Sequence, residues 1–575
     1  MRQRTAISKG SRLAAVVCLL AVLGSACTGE GEVKAREAKP GAKTGGTLTV
    51  GVTEPLTLES SGADTFEASG NLIIRTICDP LIQIDPVTGE PKPAILDSWL
   101  TSDGGKTYFL KLRRGVRFHN GREVNADDVV FALSRVASRE YGSPVATLLE
   151  NVLGYEFVHG DVDVEDQDID ERFREQLAGA RVVENFAFEI RINDELEQTD
   201  FFRLLSHPLA SPVPKQEVLE DPDAYARRPI CTGPYKLAGD WKPGDPSIRV
   251  DRFDGYYGQN LGYTRGGKGY FDSIEFRVFP DRPSQLPEFQ NGNLLAAQGT
   301  PSLLISGAPV PPEQQIKATT GTLEYIGLPT ATAPFNNRHF RIALSQALDR
   351  ELLAQTLYAG FKTPARGYIA PTTGQLYRDQ GCGDRAQTKA DIPAAQESLR
   401  KSGVNLAGAT FKFYFNDELG NRSMVEAIAA QWTAAFGVNF ELTPMGWDEY
   451  VAKGAGQPGF DGPFRMGYAP QYPSGDTYMY PLFHSSSIGR DNLMRFSNRE
   501  IDRQLKEDAR TAPTDEDIRI EYQNTEDLVC EQLPSVPVFF NNVVHFLHTD
   551  RIDSASESFT DIATGQLALR ELYQK

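Results

Sequence analysis

Residues 99–136, WLTSDGGKTYFLKLRRGVRFHNGREVNADDVVFALSRV, constrain the fold more than any other stretch of the chain. They read as two strands, a turn and a helix. Asp103-Gly104-Gly105 is a tight-turn signal, because glycine enters positive φ without a Cβ clash. Tyr108, Leu110 and Leu112 alternate with Lys111 and Arg113, the pattern of a half-buried strand. His119-Asn120-Gly121 predicts a second turn. Asn125 is placed to cap a helix, and Asp127 and Asp128 suit the positive end of its dipole. Val129, Val130, Leu133 and Val136 supply the apolar face. Such a piece is scaffold: turn glycines and alternating strands carry no chemistry of their own.

The chain has 575 residues, more than one hydrophobic core accommodates, so two or more domains are expected. A net charge of −18 and the lack of a basic stripe argue against nucleic acid as a partner. Arg2, Arg4, Lys9 and Arg12 precede an apolar run over 13–26. That run is too short for a bilayer, which needs about 20 apolar residues, and suits a signal peptide over 1–26. It ends Leu23-Gly24-Ser25-Ala26-Cys27, which resembles a bacterial lipobox. Cleavage would leave Cys27 as a lipid-bearing N-terminus on the outer face of the cell membrane. Two or three acyl chains, at about 0.8 kcal/mol per buried CH₂, would anchor it there. Residues 27–45 then read as a flexible tether, rich in Gly, Lys and Glu.

Six cysteines are present. With Cys18 in the signal and Cys27 lipidated, Cys78, Cys231, Cys382 and Cys530 remain. An even number in an oxidising compartment permits two disulfides, with three pairings open. No C-x-x-C pair points to zinc.

Several motifs fail on inspection. The acidic run over 160–171 lacks the glycine of a calcium loop and reads as a solvated loop. GYTRGGK at 262–268 has Gly269 where a P-loop needs Ser or Thr. GAGQPG at 454–459 follows a helical pattern rather than a strand and contains Pro458. His545 and His548, three apart on an expected strand, point to opposite faces. There is no G-x-S-x-G or H-E-x-x-H, so hydrolase chemistry has no motif to rest on.

The order of parts in 99–136 resembles the signature region of family 5 extracellular solute-binding proteins, the peptide/nickel-type receptors of ATP-binding-cassette importers. The matching residues are Trp99, Asp103 to Gly105, Leu112-Arg113-Arg114-Gly115-Val116, Phe118-His119-Asn120-Gly121 and Ala126-Asp127-Asp128-Val129. Thr232-Gly233-Pro234-Tyr235 and Tyr256-Tyr257-Gly258 match further hallmarks. So do Pro334-Phe335, Arg338, Arg341, Ala343-Leu344, Ala347 and Asp349-Arg350. There Phe340, Leu344, Leu348 and Leu352 recur every four residues and predict one amphipathic helix, capped by Asn337 and stopped at Gly360.

The resemblance implies a two-lobed α/β, periplasmic-binding-protein-like fold with an extra subdomain in the first lobe. Lobe I would comprise 46–92, 209–300 and 541–575, its inserted subdomain 93–208, and lobe II 301–540. The family layout pairs Cys78 with Cys231 and Cys382 with Cys530. It implies a monomeric receptor, not an enzyme and without a cofactor, that captures an oligopeptide-like solute and delivers it to permease subunits. The implied ligand-binding residues are Gly467, Tyr468, Gln471, Asp476 and Glu67. Gln471 falls where peptide-binding relatives place an Asp against the ligand's free amine. Glutamine hydrogen-bonds an amine without neutralising it, and burying that charge without a counter-ion is costly. Asp476 substitutes if the loop bends differently. A blocked peptide or a neutral polar solute stays open, as does a regulatory or scaffolding lipoprotein of the same fold.

Overall fold

The computed structural model describes residues 42–575 except 63–67, 85–90, 104–105, 161–175, 194–197, 261–268, 301–302, 305, 308, 418–420, 471, 510–511, 513–514, 556–557 and 562–563. Cys27, the signal and most of the tether lie outside the described residues, as do residues 161–171 of the acidic run and the GYTRGGK segment.

An 11-stranded sheet runs through the molecule. At one end, Asn439–Met445, Thr410–Asn416 and Phe464–Tyr468 pair side by side. At the other, Thr47–Thr53, Ser273–Phe279, Ser247–Arg252 and Tyr235–Leu237 form a second block. Two 13-residue antiparallel strands, Gln315–Gly327 and Ser535–Leu547, belong to both halves. Their pairing shifts register between Thr319 and Leu323, at Thr320-Gly321-Thr322. Gly321 there has φ +80°, and a Cβ would meet Thr372 Oγ1 at 2.8 Å and Tyr478 Oη at 2.9 Å. The position therefore requires glycine.

Cores sit on both sides of this crossover. Leu48, Val50, Ile274 and Phe276 are buried in the first half; Phe413, Trp432 and Val538 in the second. A separate four-stranded antiparallel sheet, Leu96–Ser102, Thr107–Leu112, Ala187–Arg191 and Ala180–Glu184, carries its own core under the helix Ala126–Ala137. Asn125 caps that helix by a capping box with Asp128, and Val129, Val130, Leu133 and Val136 are all buried. Disulfides join Cys78 to Cys231 and Cys382 to Cys530.

One expected element is corrected. The single helix ending at Gly360 is two, Arg338–Gln346 and Arg350–Tyr358, and Leu352 is 53% exposed. Asp349 accepts from Leu352 N and starts the second helix. The buried Arg350 guanidinium donates to the carbonyls of Ser345 and Leu348 at the end of the first helix, the Ser345 carbonyl also accepting from Leu348 N. A four-residue repeat passes through a break unseen, because it records spacing and not the cap.

Candidate functional site

A cavity of about 380 Å³ opens between the two halves, over the crossover. The first half contributes the helix Ala68–Ile77, through Asn71, Arg75 and Thr76, together with His207. Asp561, Arg570 and Glu571 come from the C-terminal segment. The floor is Thr320 and Thr322, on either side of Gly321 within the register shift. The second half closes the far side with Ala469, Pro470, Tyr472 and Pro473.

The polar wall is built stepwise. The helix ASGNLIIRTI is apolar apart from its small and amide residues and Arg75. Arg75 Nε donates to Asn71 Oδ1, one turn back, at 2.7 Å. Burial lowers the Arg75 pKa, Asp561 opposes that shift and Arg570 adds to it. Arg570 is held by the Asp79 carboxylate and donates to the Cys78 carbonyl at 2.9 Å. Burial works against its charge, and Asp79 outweighs burial and raises its pKa. His207 is 1% exposed; its Nδ1 accepts from Leu209 N at 3.1 Å. Burial and then the charge of Arg75 lower its pKa to about 3, so the ring is neutral.

The residues expected at the site from the resemblance fall as follows. Glu67 and Gln471 lie outside the described residues, though the neighbours of Gln471 on both sides line the cavity. Gly467 and Tyr468 sit on Phe464–Tyr468, paired with Glu324 and Leu323 of the crossing strand. Asp476 begins the helix Asp476–Phe483; its side chain is buried and accepts from Tyr522 Oη at 3.2 Å. Arg75, His207, Arg570, Thr320 and Thr322 were not anticipated. The signal for the first two was a single basic or imidazole group in a mostly apolar run, LIIRTI and LLSHPLA. His545 and His548 bond to separate carbonyls, of Gly565 and Phe289, each at 2.9 Å. No group of three or more metal-ligating side chains occurs among the described residues.

Two α/β halves, joined by a pair of crossing strands and lined on both faces of a cleft, define a solute receptor of the periplasmic-binding type. Residues 90–490 match the family described as bacterial extracellular solute-binding proteins, family 5, middle region. The chain belongs to that family, whose members are binding receptors and not enzymes. Heme-binding protein A of Haemophilus influenzae is 25% identical over 491 residues, 82% of each chain. Oligopeptide-binding protein AppA of Bacillus subtilis is 24% identical over 557 residues, 94% of each. Among solved structures, the unliganded open form of the murein tripeptide-binding protein MppA superposes with a TM-score of 0.78 at 18% identity, covering 93% of this chain and 99% of that one. Bacillus subtilis AppA in complex with a nonapeptide gives 0.61 at 20% identity, covering 93% and 100%.

Proposed function

We propose that this protein is the membrane-anchored receptor of an ATP-binding-cassette importer, which takes an oligopeptide-like solute into the interlobe cleft and presents it to a permease. The observation that carries the reading is the cavity itself: its walls come from both halves and its floor is the crossover between them. A solute touching both walls favours a closed arrangement over an open one, and closure follows as a population shift. The cavity lies within the roughly 300–1,000 Å³ common to ligand pockets. A micromolar dissociation constant needs about −8.2 kcal/mol, within reach of a few desolvated hydrogen bonds and the burial of one aromatic wall. Relatives named for oligopeptides support that ligand class, and Gln471 at the amine position favours one without a free amino terminus. The anchor is Cys27, supported by the small residues before it.

The test is a thermal-shift screen of the purified chain from Cys27 onward against peptides, N-blocked peptides and neutral polar solutes, followed by small-angle scattering of each hit. A hit is expected to raise the melting midpoint and reduce the radius of gyration. If no class does either, the capture reading fails. For the anchor, Cys27→Ser is expected to release the protein from the membrane fraction.

A further inference from the structure

We infer that the first-lobe wall of the cleft is an anion subsite, where Arg75 and His207 together bind one carboxylate of the solute. The inference rests on the receptor reading above and adds the chemistry of the ligand.

Arg75 and His207, on that wall, hold donors that no described residue uses. Arg75 spends only Nε, on Asn71 at 2.7 Å; among the described residues its terminal nitrogens make no hydrogen bond and no ion pair. His207 lines the same cavity and its side chain is buried. Because Nδ1 accepts from Leu209 N, the ring proton is on Nε2, and that N–H has no acceptor among the described residues. A buried donor without a partner, as the His207 Nε2–H is, is uncommon in folded proteins and asks for an explanation; Arg75 is only partly buried and lines the same cavity. His207 and Arg75 are close enough that the guanidinium charge lowers the histidine pKa. The imidazole therefore stays a neutral donor beside a fixed cation. A carboxylate with its two oxygens satisfies both, by a charge-assisted bond to the guanidinium and a second to Nε2–H.

The surroundings limit the charge of the guest. Among the described residues, Arg75, Arg282 and Arg570 face Asp561 and Glu571 around the cavity, an excess of one positive charge. The Asp561 Oδ1 is occupied by Thr564, through N at 2.9 Å and Oγ1 at 3.0 Å. Two nitrogens of the Arg570 guanidinium are committed to Asp79 and the Cys78 carbonyl, and its Nε is buried without a partner among the described residues; it chiefly adds potential, while Arg75 keeps both terminal nitrogens for the direct contact. A single carboxylate balances this wall; a phosphate dianion would meet the two acids. Recognition through an acid end also accords with Gln471 at the position where an amine would need a counter-charge.

Three N-acetylated random tetrapeptide pools test the proposal. The first lacks Asp and Glu and ends in a free carboxylate. The second is its C-terminal amide. The third is the amide pool with one Asp or Glu admitted. Capture by the purified protein is read by mass spectrometry. The free-acid pool is expected to be captured at least 10-fold over the neutral amide; if the acidic-side-chain pool is the one enriched, the carboxylate comes from a side chain instead. Arg75→Gln is expected to bring the ratio to within 2-fold, Arg75→Lys to retain part of it and His207→Phe to lower it about 5-fold, with folding checked by melting midpoint. Equal capture of all three pools by the unmodified protein would overturn the subsite and leave the receptor reading standing. So would an acid preference that Arg75→Gln and His207→Phe both leave intact. Capture of none of the pools would overturn both.

Discussion

His119 is clamped to Gly233: its Nε2–H donates to the Gly233 carbonyl at 3.1 Å, while Nδ1 accepts the Cys231 N–H at 3.3 Å. The F-H-N-G turn is thereby sewn to the T-G-P-Y run, beside the Cys78–Cys231 disulfide. Gly233 N in turn donates to Ile77 O at 2.8 Å, and a Cβ at Gly233 would lie 2.5 Å from that oxygen. The histidine of this hallmark therefore positions the end of the cleft helix Ala68–Ile77.

Burial holds His119 and His207 at about pH 3 and His545 at about 4, against an ordinary 6.5. The unfolded chain takes up these protons first as pH falls. Stability is therefore full above about pH 6.5 and declines toward pH 4, by up to about 1.4 kcal/mol per pH unit for each ring. Melting midpoints should fall steadily from pH 7 to 5. His545→Gln, which keeps a donor for Gly565 O, should show a shallower decline.

Glu324 is buried between Arg465, at 2.7 Å, and Lys362. Burial pushes its carboxyl up, but the two cations outweigh this and hold it below the usual range. Glu324→Gln leaves two half-buried cations without their counter-ion. Urea denaturation should show a loss of about 3–5 kcal/mol.

Arg350 donates through Nε to Pro537 O at 2.7 Å, and through its other nitrogens to Gln387 O at 2.9 Å and Ser345 Oγ at 2.8 Å. An ammonium cannot reach this spread of acceptors. Arg350→Lys should cost about 2–3 kcal/mol in chemical denaturation, through carbonyls left unpaired in the core.

Gly321→Ala forces a Cβ into Thr372 and Tyr478 at a positive φ. The variant should lose about 1–3 kcal/mol of stability. Because the position lies in the crossover, any ligand found by thermal shift should bind more weakly to it, as calorimetry would show.

The Cys78–Cys231 bridge spans a sequence separation of 153. Replacing both cysteines by serine should cost about 2–5 kcal/mol. The melting midpoint of the unmodified protein should fall on reduction, while that of the double variant should fall less.

Local patterns carried far. Alternation placed the strand Thr107–Leu112, and the Asn125 cap was legible, because these depend on neighbours a few residues away. The order of hallmarks also marked the family before any coordinates. The helix break at Asp349 was not legible, since it depends on Arg350 reaching Gln387 and Pro537. By count alone Cys78, Cys231, Cys382 and Cys530 left three pairings open; the family layout implied the two bridges that the structure has, which form where distant segments approach.

The sequence by itself determined most of the local elements and the family, because each is written in short-range spacing and side-chain chemistry. The cleft was decided only in the tertiary structure. Arg75, His207, Thr320, Tyr472 and Arg570 share no local pattern, and a common wall arises only where two crossing strands fold distant segments around one space. Whether a donor is spent or free depends on which atoms surround it, and that is a property of packing rather than of sequence order.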